Sequence, residues 1–129
     1  SAAAIERARR GVYRERSFRN LPPKLREKYF SEEQGGSRIA QEIHGRVKWG
    51  TANLMDAGAV GAYAASPVIF CRNVFIYFSN DTIRKTVELF AELMPAPGYL
   101  FVAASESLLR LTTRLQFQEI GGAFVYVKG

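Results

Sequence analysis

The sequence predicts an α/β fold in which an open, partly parallel sheet ends in an antiparallel hairpin. Two strand-like apolar runs, from Pro67 to about Val74 and over YLFVAAS, are separated by a segment with helical spacing. The chain then closes with two alternating runs around a glycine pair, Gly121 and Gly122. Strands that alternate with helices form parallel sheets, and alternating runs joined by two glycines form hairpins.

Two helices are predicted within the first 30 residues. The first begins after Ser1, whose hydroxyl is a favoured N-cap, and ends at Gly11. The second spans LPPKLREKYF, because proline is tolerated in a first helical turn and Leu25, Tyr29 and Phe30 form an apolar side. The segment SEEQGGSR that follows is predicted to be a loop.

The middle of the chain carries weaker signals. From Ile39 to Leu54, short alternating runs interrupted by Gly45 and Gly50 predict small antiparallel strands or a strand entered through a bend. The segment MDAGAVGAYAASP is rich in small residues, which favours a connector with at most one helical turn.

A long amphipathic helix is predicted between the two apolar strands. Either Ser79 or Asn80 is suited to cap it, and PAPG ends it. A shorter helix is predicted over ESLLRLTTRL. The apolar residues that recur at helical spacing in the long helix are Ile83, Val87, Phe90 and Met94.

Positive charge is concentrated at the start of the chain. The formal net charge is +6, and the first 30 residues hold nine basic side chains against three acidic ones, so the remainder is neutral. Such a region attracts phosphates or acidic protein surfaces at long range, and a solvated helix face is the alternative interpretation.

Composition argues against several classes of protein. No apolar run is long enough to cross a bilayer and no signal peptide is recognisable, so a cytoplasmic protein is expected. One cysteine, Cys71, and one histidine, His44, do not form a ligand set for a structural zinc. Cys71 is expected to be a small buried residue and not a nucleophile.

The stretch VIFCRNVFIYF places Arg72 and Asn73 inside a strand-forming run. Burying an unpaired guanidinium costs several kcal/mol or is avoided. In open α/β sheets, ligands bind beyond the carboxyl ends of the parallel strands. We therefore expect this pair to emerge where the strand leaves the core and to face a crevice.

Five segments resemble, in order and spacing, the C-terminal part of the CheR-type chemotaxis receptor methyltransferases: IERARRGVYRERSFRNLP, NLMD, VIFCRNVFIYF, PGYLFVAASESL and AFVYVKG. The most specific is CRNVFIYF. The resemblance implies a Rossmann-like, class I S-adenosylmethionine-dependent methyltransferase fold, with S-adenosylmethionine as the cofactor. It also implies that glutamate side chains on the cytoplasmic helices of chemotaxis receptors are converted to glutamyl methyl esters.

The same resemblance implies roles for five residues. Asn53 and Leu54 are expected to flank the adenine side of the cofactor, and Arg72 and Asn73 to lie beside its amino-acid portion. Tyr77 is expected near the methyl-donor end, which makes Arg72 and Tyr77 the candidate catalytic residues, in a supporting role without acid or base chemistry. The structural alternatives are a turn-forming role for Asn53, a core position for Tyr77 and an ion pair for Arg72.

The sequence departs from the family pattern in two places. The glycine-rich motif and the ribose-binding acid that precede the matching segment in the family are absent, so residues 1–129 are expected to be an inactive C-terminal fragment that lacks the first strands and binds the cofactor poorly. Ala103 and Ala104 replace a Gly-His pair, which leaves full activity open. Residues 31–50 correspond to a small β-subdomain that grips receptor tails in some family members, but they are short for that role.

Missing strands would leave bare, apolar strand edges, which pair readily with other chains. A homodimer formed by strand exchange or edge pairing is therefore expected. The alternative is direct pairing of residues 46–54 with the strand at 67–74.

Three other functions stay open on the sequence alone. The basic first 30 residues, interleaved with aromatic side chains, are compatible with a nucleic-acid-binding module. The two alanines are compatible with a non-catalytic scaffold or sensor domain. The third alternative is a related enzyme that methylates an amide or an amine.

Overall fold

The computed structural model describes residues 1–108, 111–112 and 114–129. The chain divides into two compact units, Ser1–Thr51 and Ala52–Gly129, which we call the N-terminal and C-terminal units. No helix in the described part of the chain has the length and apolarity that crossing a membrane requires.

The N-terminal unit is a small antiparallel sheet with short helices. Its strands lie in the order β1-β3-β2, and both pairings are antiparallel. A 3₁₀ turn at Glu15–Phe18 follows the first strand. The elements are α1 (Ala2–Arg10), β1 (Val12–Tyr13), α2 (Pro23–Tyr29), β2 (Phe30–Glu33), β3 (Gly36–Ile39) and α3 (Gln41–His44).

The predicted caps of the first helix are confirmed. The Ser1 hydroxyl accepts a hydrogen bond from the Ala4 N–H at 3.4 Å. Gly11 ends α1 in the left-handed conformation, with φ 67°, which glycine adopts without steric cost. α2 also begins at a proline, as predicted, but Leu25 is 40% exposed and does not form its apolar side.

Two local predictions between residues 31 and 54 are wrong. SEEQGGSR is not a loop but most of a β-hairpin, in which Gly35 has φ 90° and Glu33 pairs with Gly36. Its outer strand is exposed, so its residues are polar and lack the alternation that identifies a half-buried strand. Ile39 ends β3, and the strands predicted from there to Leu54 are replaced, over the fully described residues 40–54, by α3 and irregular backbone.

The C-terminal unit contains a mixed four-stranded sheet in the order β4-β5-β7-β6. β4 and β5 are parallel, with Val68 opposite Tyr99, and the other pairings are antiparallel. This arrangement confirms the predicted α/β fold with a terminal hairpin. The elements are α4 (Ala57–Ala64), β4 (Val68–Phe70), α5 (Asn80–Leu93), β5 (Gly98–Phe101), β6 (Gln116–Ile120) and β7 (Ala123–Lys128).

The long helix and the hairpin agree with the sequence. The Ser79 hydroxyl caps α5 by accepting the Thr82 N–H at 3.2 Å. Gly121 and Gly122 have φ 58° and 81°, the pair of positive values that a two-residue hairpin turn requires. The helix packs its four predicted residues, Ile83, Val87, Phe90 and Met94, into a core that also contains Leu100 and Tyr126.

Two segments before α5 differ from prediction. The small-residue connector forms the eight-residue helix α4, because the Asp56 carboxylate caps it by accepting the N–H groups of Gly58 and Ala59 at 3.0 and 3.2 Å. β4 is shorter than the predicted strand and is not buried, since Val68 is 45% and Phe70 is 70% exposed.

Among the described residues, β4 pairs with β5 alone and lies at one edge of the sheet. Residues 46–54 are fully described and contain no strand, so the expected direct pairing between them and β4 is wrong. The helix predicted over ESLLRLTTRL includes residues 109, 110 and 113, which lie outside the described residues.

Candidate functional site

The candidate site centres on the turn that follows β4. The Cys71 N–H donates to the Phe101 carbonyl at 2.9 Å, so pairing with β5 continues one residue beyond the strand. Arg72 is exposed, and its side chain makes no hydrogen bond or ion pair with any described residue. Asn73 follows with φ 60°, a left-handed conformation that asparagine tolerates better than most residues. The turn therefore presents a guanidinium at the carboxyl end of a parallel strand, as predicted.

Glu106 holds this turn from inside the protein. Its Oε1 accepts the backbone N–H of Asn73 at 2.8 Å and that of Ala103 at 2.9 Å, and the residue is only 7% exposed. Burial raises the pKa of Glu106, but the N–H groups of Ala103 and Asn73, and more weakly those of Phe75 and Ile76, outweigh it and lower the pKa below its ordinary value. The carboxylate is therefore ionised at neutral pH, and it links the loops after the two parallel strands.

Cys71 lies buried beside this carboxylate. Burial, with a smaller contribution from the negative charge of Glu106, raises the pKa of its thiol to about 11. A thiol that stays protonated at neutral pH is a poor nucleophile. Its predicted role as a small buried residue is confirmed.

Tyr77 ends a 3₁₀ turn at Phe75–Tyr77, before α5. It is 81% exposed, so its alternative assignment as a core aromatic is wrong. Tyr77 follows Arg72 and Asn73 in the connection between β4 and α5, which leaves its hydroxyl at the surface.

Asn53 and Leu54 lie in another loop of the C-terminal unit. Asn53 Oδ1 accepts the Met55 N–H at 3.0 Å, a turn-forming contact that leaves the side-chain NH₂ available. Leu54 packs against the core and, with Met55 and one side of α5, lines a cavity of about 490 Å³. Of the five predicted site residues, Leu54 alone is among the described residues that line this cavity, so the cavity does not bring the predicted site together.

These groups fit S-adenosylmethionine in their chemistry. A free guanidinium can bind the carboxylate of the cofactor's amino-acid portion in a bidentate manner. The cavity beside Leu54 is lined by a few apolar side chains, including Leu54, Met55 and Leu89, next to charged side chains of α5, and a purine ring can pack on the apolar ones. The fit rests on the exposed state of Arg72 and on the open space beside Leu54.

The sequence alone assigns no role to Glu106. It does contain an indication of one, because an acidic residue so close to the end of an apolar run needs several hydrogen-bond donors if it is buried. Its partner at Asn73 lies 33 residues away in the chain, so only the fold identifies the contact.

The chain matches the protein family described as CheR methyltransferase, SAM binding domain, over residues 1–123. It is 36% identical to the probable biofilm formation methyltransferase WspC of Pseudomonas aeruginosa, over 84% of this chain and 26% of that protein. It is 33% identical to the chemotaxis protein methyltransferase of Vibrio parahaemolyticus, over 98% of this chain and 46% of that protein. The corresponding protein of Escherichia coli is 33% identical over 85% of this chain and 40% of its own length. The chain thus spans about a quarter to a half of the length of these relatives.

Proposed function

Since the chain belongs to the CheR methyltransferase family, we propose that the full-length protein methylates glutamate side chains of chemotaxis receptors to give glutamyl methyl esters. Membership of the family confirms the expected cofactor, S-adenosylmethionine, and the expected class I methyltransferase fold. The observation that carries the proposal is the exposed guanidinium of Arg72, in the segment most specific to the family, with no ion pair among the described residues.

The reaction is a displacement that needs no general base. When bound, S-adenosylmethionine supplies an electrophilic methyl group on a sulfonium. A glutamate has an ordinary pKa of about 4.3, so its carboxylate is already ionised and nucleophilic at neutral pH. The carboxylate oxygen would accept the methyl group in one displacement, with the electron pair of the broken sulfur–carbon bond left on sulfur, and Arg72, Asn53 and Leu54 would hold the cofactor. No proton moves, so the protein contributes mainly by alignment.

The candidate residues have supporting roles in this scheme. Arg72 binds a carboxylate through its forked donors, and the hydroxyl of Tyr77 orients the acceptor. Asn73 fixes the turn that carries Arg72, while Asn53 and Leu54 bind the adenine side of the cofactor. Arg72 and Tyr77 are exposed, so the acceptor carboxylate has to be desolvated by the substrate helix that covers them.

Charge supports an acidic receptor helix as the partner. Of the nine basic residues in the first 30 positions, Arg9 and Arg26 form ion pairs, with Glu6 and Glu15, among the described residues. The others leave a positive surface on the N-terminal unit, which attracts acidic segments at long range.

A second candidate differs in process and not in chemistry. A relative that is 36% identical is described as a probable biofilm formation methyltransferase. The same site is then expected to methylate a receptor of a biofilm-formation system. Two membrane preparations separate the two candidates, one that contains only chemotaxis receptors and one that contains only the receptor of the biofilm-formation system. The preparation that is methylated identifies the process.

The test is methyl transfer from labelled S-adenosylmethionine to receptor-containing membranes by the full-length protein. Base-labile methanol released from the product identifies an ester. Arg72→Ala is expected to lower cofactor affinity or turnover by about tenfold or more, since it removes a charge-assisted contact. The matched control is Arg114→Ala, which removes another exposed arginine of the same unit.

Two results would contradict the proposal. Base-stable label would indicate methylation of an amide or amine, and unchanged kinetics in the Arg72 variant would remove the residue from the site. Cofactor binding without any transfer would favour a scaffold. The 129-residue chain alone is expected to bind S-adenosylmethionine weakly, because its described cavity includes Leu54 but not Arg72.

A further inference from the structure

The loops after the two parallel strands are joined by one buried carboxylate. Glu106 Oε1 receives the N–H of Asn73 from the β4 side and the N–H of Ala103 from the β5 side. The Glu106 N–H also donates to the Ala103 carbonyl at 2.9 Å, which makes its own loop compact. Because its side chain is buried, Glu106 does not contact a substrate. It can affect a reaction only by fixing the positions of the residues to which it is hydrogen-bonded.

Arg72 lies between two fixed points of the backbone. On one side, the Cys71 N–H is bonded to the Phe101 carbonyl at 2.9 Å. On the other side, the Asn73 N–H is bonded to Glu106 at 2.8 Å. The Arg72 side chain has no partner of its own within the described residues, so these two backbone anchors fix the point and the direction in which it leaves the backbone.

The second anchor holds a conformation that the chain does not favour by itself. Asn73 is the only described residue other than glycine with positive φ. Left-handed backbone is unfavourable for an ordinary residue, and asparagine tolerates it better than most. The Asn73 N–H donates to the buried Glu106 carboxylate in a partly buried contact, so removing that carboxylate leaves the donor without this acceptor.

We propose that Glu106 is a positioning residue for the methyl transfer, which holds the Cys71–Asn73 turn so that the Arg72 guanidinium faces the reacting carboxylates. The inference rests on the proposed function. It goes beyond the family's shared motif, because it assigns to a buried glutamate the placement of an exposed arginine. The ionised carboxylate suits the task, since it has only acceptor sites and two N–H donors converge on one of its oxygens.

Two substitutions separate the roles of shape and charge. Glu106→Gln keeps a side-chain oxygen that can accept both N–H groups, although it loses the charge. Glu106→Ala leaves both N–H groups without an acceptor. We expect kcat to fall about tenfold or more in the alanine variant and to recover to within about threefold of wild type in the glutamine variant.

A double-mutant cycle with Arg72 distinguishes positioning from general support of the fold. If Glu106 acts through Arg72, then Glu106→Ala has little further effect on kcat once Arg72→Ala is present, because the group that it positions is gone. If its role is only structural, the fold-losses in kcat of the two single variants multiply in the double variant. Such a multiplied loss would overturn the inference.

Met94→Ala provides the matched control. Met94 is buried where α5 ends, before β5 begins, whereas Ala103 lies just beyond the other end of that strand. The variant destabilises the protein through a cavity and leaves the turn intact. Its effect on kcat is expected to multiply with that of Arg72→Ala, which shows how a purely structural change behaves in the same cycle.

An NMR arm does not depend on methyl transfer. In the full-length wild-type protein, the amide protons of Asn73 and Ala103 are expected to shift together on acidification as Glu106 is protonated, and this shared step is absent in Glu106→Gln. The Asn73 amide is expected to lose protection from hydrogen exchange in Glu106→Ala. Unchanged protection, or no shared step, would overturn the inference.

The two arms keep the two hypotheses distinct. If wild-type protein forms no methyl ester but the amides of Asn73 and Ala103 behave as expected, the proposed function fails. The contact between Glu106 and the turn is then only structural, which overturns the positioning role of Glu106. If esters form and the losses in kcat of the two single variants multiply in the double variant, the proposed function stands and the inference fails. Should Glu106→Ala not fold, the amide step decides: its absence in Glu106→Gln supports the inference, and its persistence there overturns it.

Discussion

The two units are stabilised by different means. Of the seventeen buried apolar side chains among the described residues, sixteen belong to the C-terminal unit and only Phe18 belongs to the N-terminal unit. The N-terminal unit relies instead on edge-to-face aromatic contacts between Phe18 and Phe30, on Arg26 stacked over Phe18, and on surface ion pairs. A site that needs fixed geometry is therefore better supported in the C-terminal unit, where the turn at Arg72 lies.

The two units also differ in how their charged side chains are paired. In the N-terminal unit, Glu15 and Arg26 meet at the surface, and their hydrogen bond lowers the pKa of Glu15 and raises the pKa of Arg26. In the C-terminal unit, Glu106 is buried and its partners are backbone N–H groups. Salt screens the first kind of contact much more than the second.

The largest expected effect is a core truncation in the C-terminal unit. Leu100→Ala removes a fully buried side chain from β5 and is expected to lower the free energy of unfolding by about 2–5 kcal/mol, through lost burial and a residual cavity. Leu25→Ala, at an exposed position in the N-terminal unit, is expected to change it by less than about 0.5 kcal/mol. Urea unfolding of both variants measures the difference, and equal losses would mean that the two units do not differ in this way.

The next effect is acid sensitivity of the C-terminal unit. Because the pKa of Glu106 is lowered in the folded chain, its ionised form contributes stability above the unfolded-state pKa of about 4.3, and that contribution is lost as the pH falls through the folded-state pKa. Cys71, the neighbouring titratable group, has a pKa of about 11 and does not contribute in this range.

Thermal unfolding between about pH 3 and pH 7 measures this sensitivity. Glu106→Gln is expected to show a smaller loss of Tm on acidification than wild type. Glu15→Gln, which removes the exposed carboxylate of the N-terminal unit, serves as the control and is expected to change the slope less. The same slope in wild type and Glu106→Gln would contradict the assignment.

A third effect concerns the free edge of β4. Pro67 and Cys71 make the hydrogen bonds to β5, so the alternate residues Val68 and Phe70 direct their N–H groups to the open side. If chains pair at this edge, Phe70→Pro removes a donor and is expected to shift the dimer towards monomer in sedimentation experiments. Phe70→Thr, which keeps the N–H, controls for loss of the ring, and a wild-type chain that is monomeric at all concentrations would rule out the dimer.

The smallest effect is expected from the ion pairs of the N-terminal unit. Arg38 pairs with Glu33 across the hairpin and also donates to the Arg10 carbonyl at 2.8 Å. Arg38→Gln is expected to lower Tm slightly at low salt and less at high salt, since these groups are exposed and screened. A salt-independent loss would show that the contact to the Arg10 carbonyl, and not the ion pair, is responsible.

Elements with local signals were predictable from the sequence. Ser1 and Gly11 identify the ends of α1, Ser79 identifies the start of α5, and the glycine pair identifies the final hairpin. Each of these signals acts within a few residues, through a cap or a turn conformation.

The elements that were wrongly predicted depend on neighbours distant in the chain. The polar strand β2 forms because β3 pairs with it. The sequence pattern predicts that Phe70 is buried, but β4 lies at an edge of the sheet. The candidate site divides in the same way. The exposure of Arg72 was predictable from the cost of burying its charge. The hydrogen bonds of Glu106 were not, because they join two loops that only the fold brings together.

The burial of Cys71 has a practical consequence for measuring motion at this site. The sequence contains a single cysteine, and its thiol is enclosed and protonated at neutral pH. Maleimide dyes and spin labels react with accessible thiolates, so the native thiol should remain unmodified while a cysteine introduced at an exposed position is labelled. Fluorescent or paramagnetic reporters can thus be attached one at a time to the native background, without first replacing the residue next to Arg72.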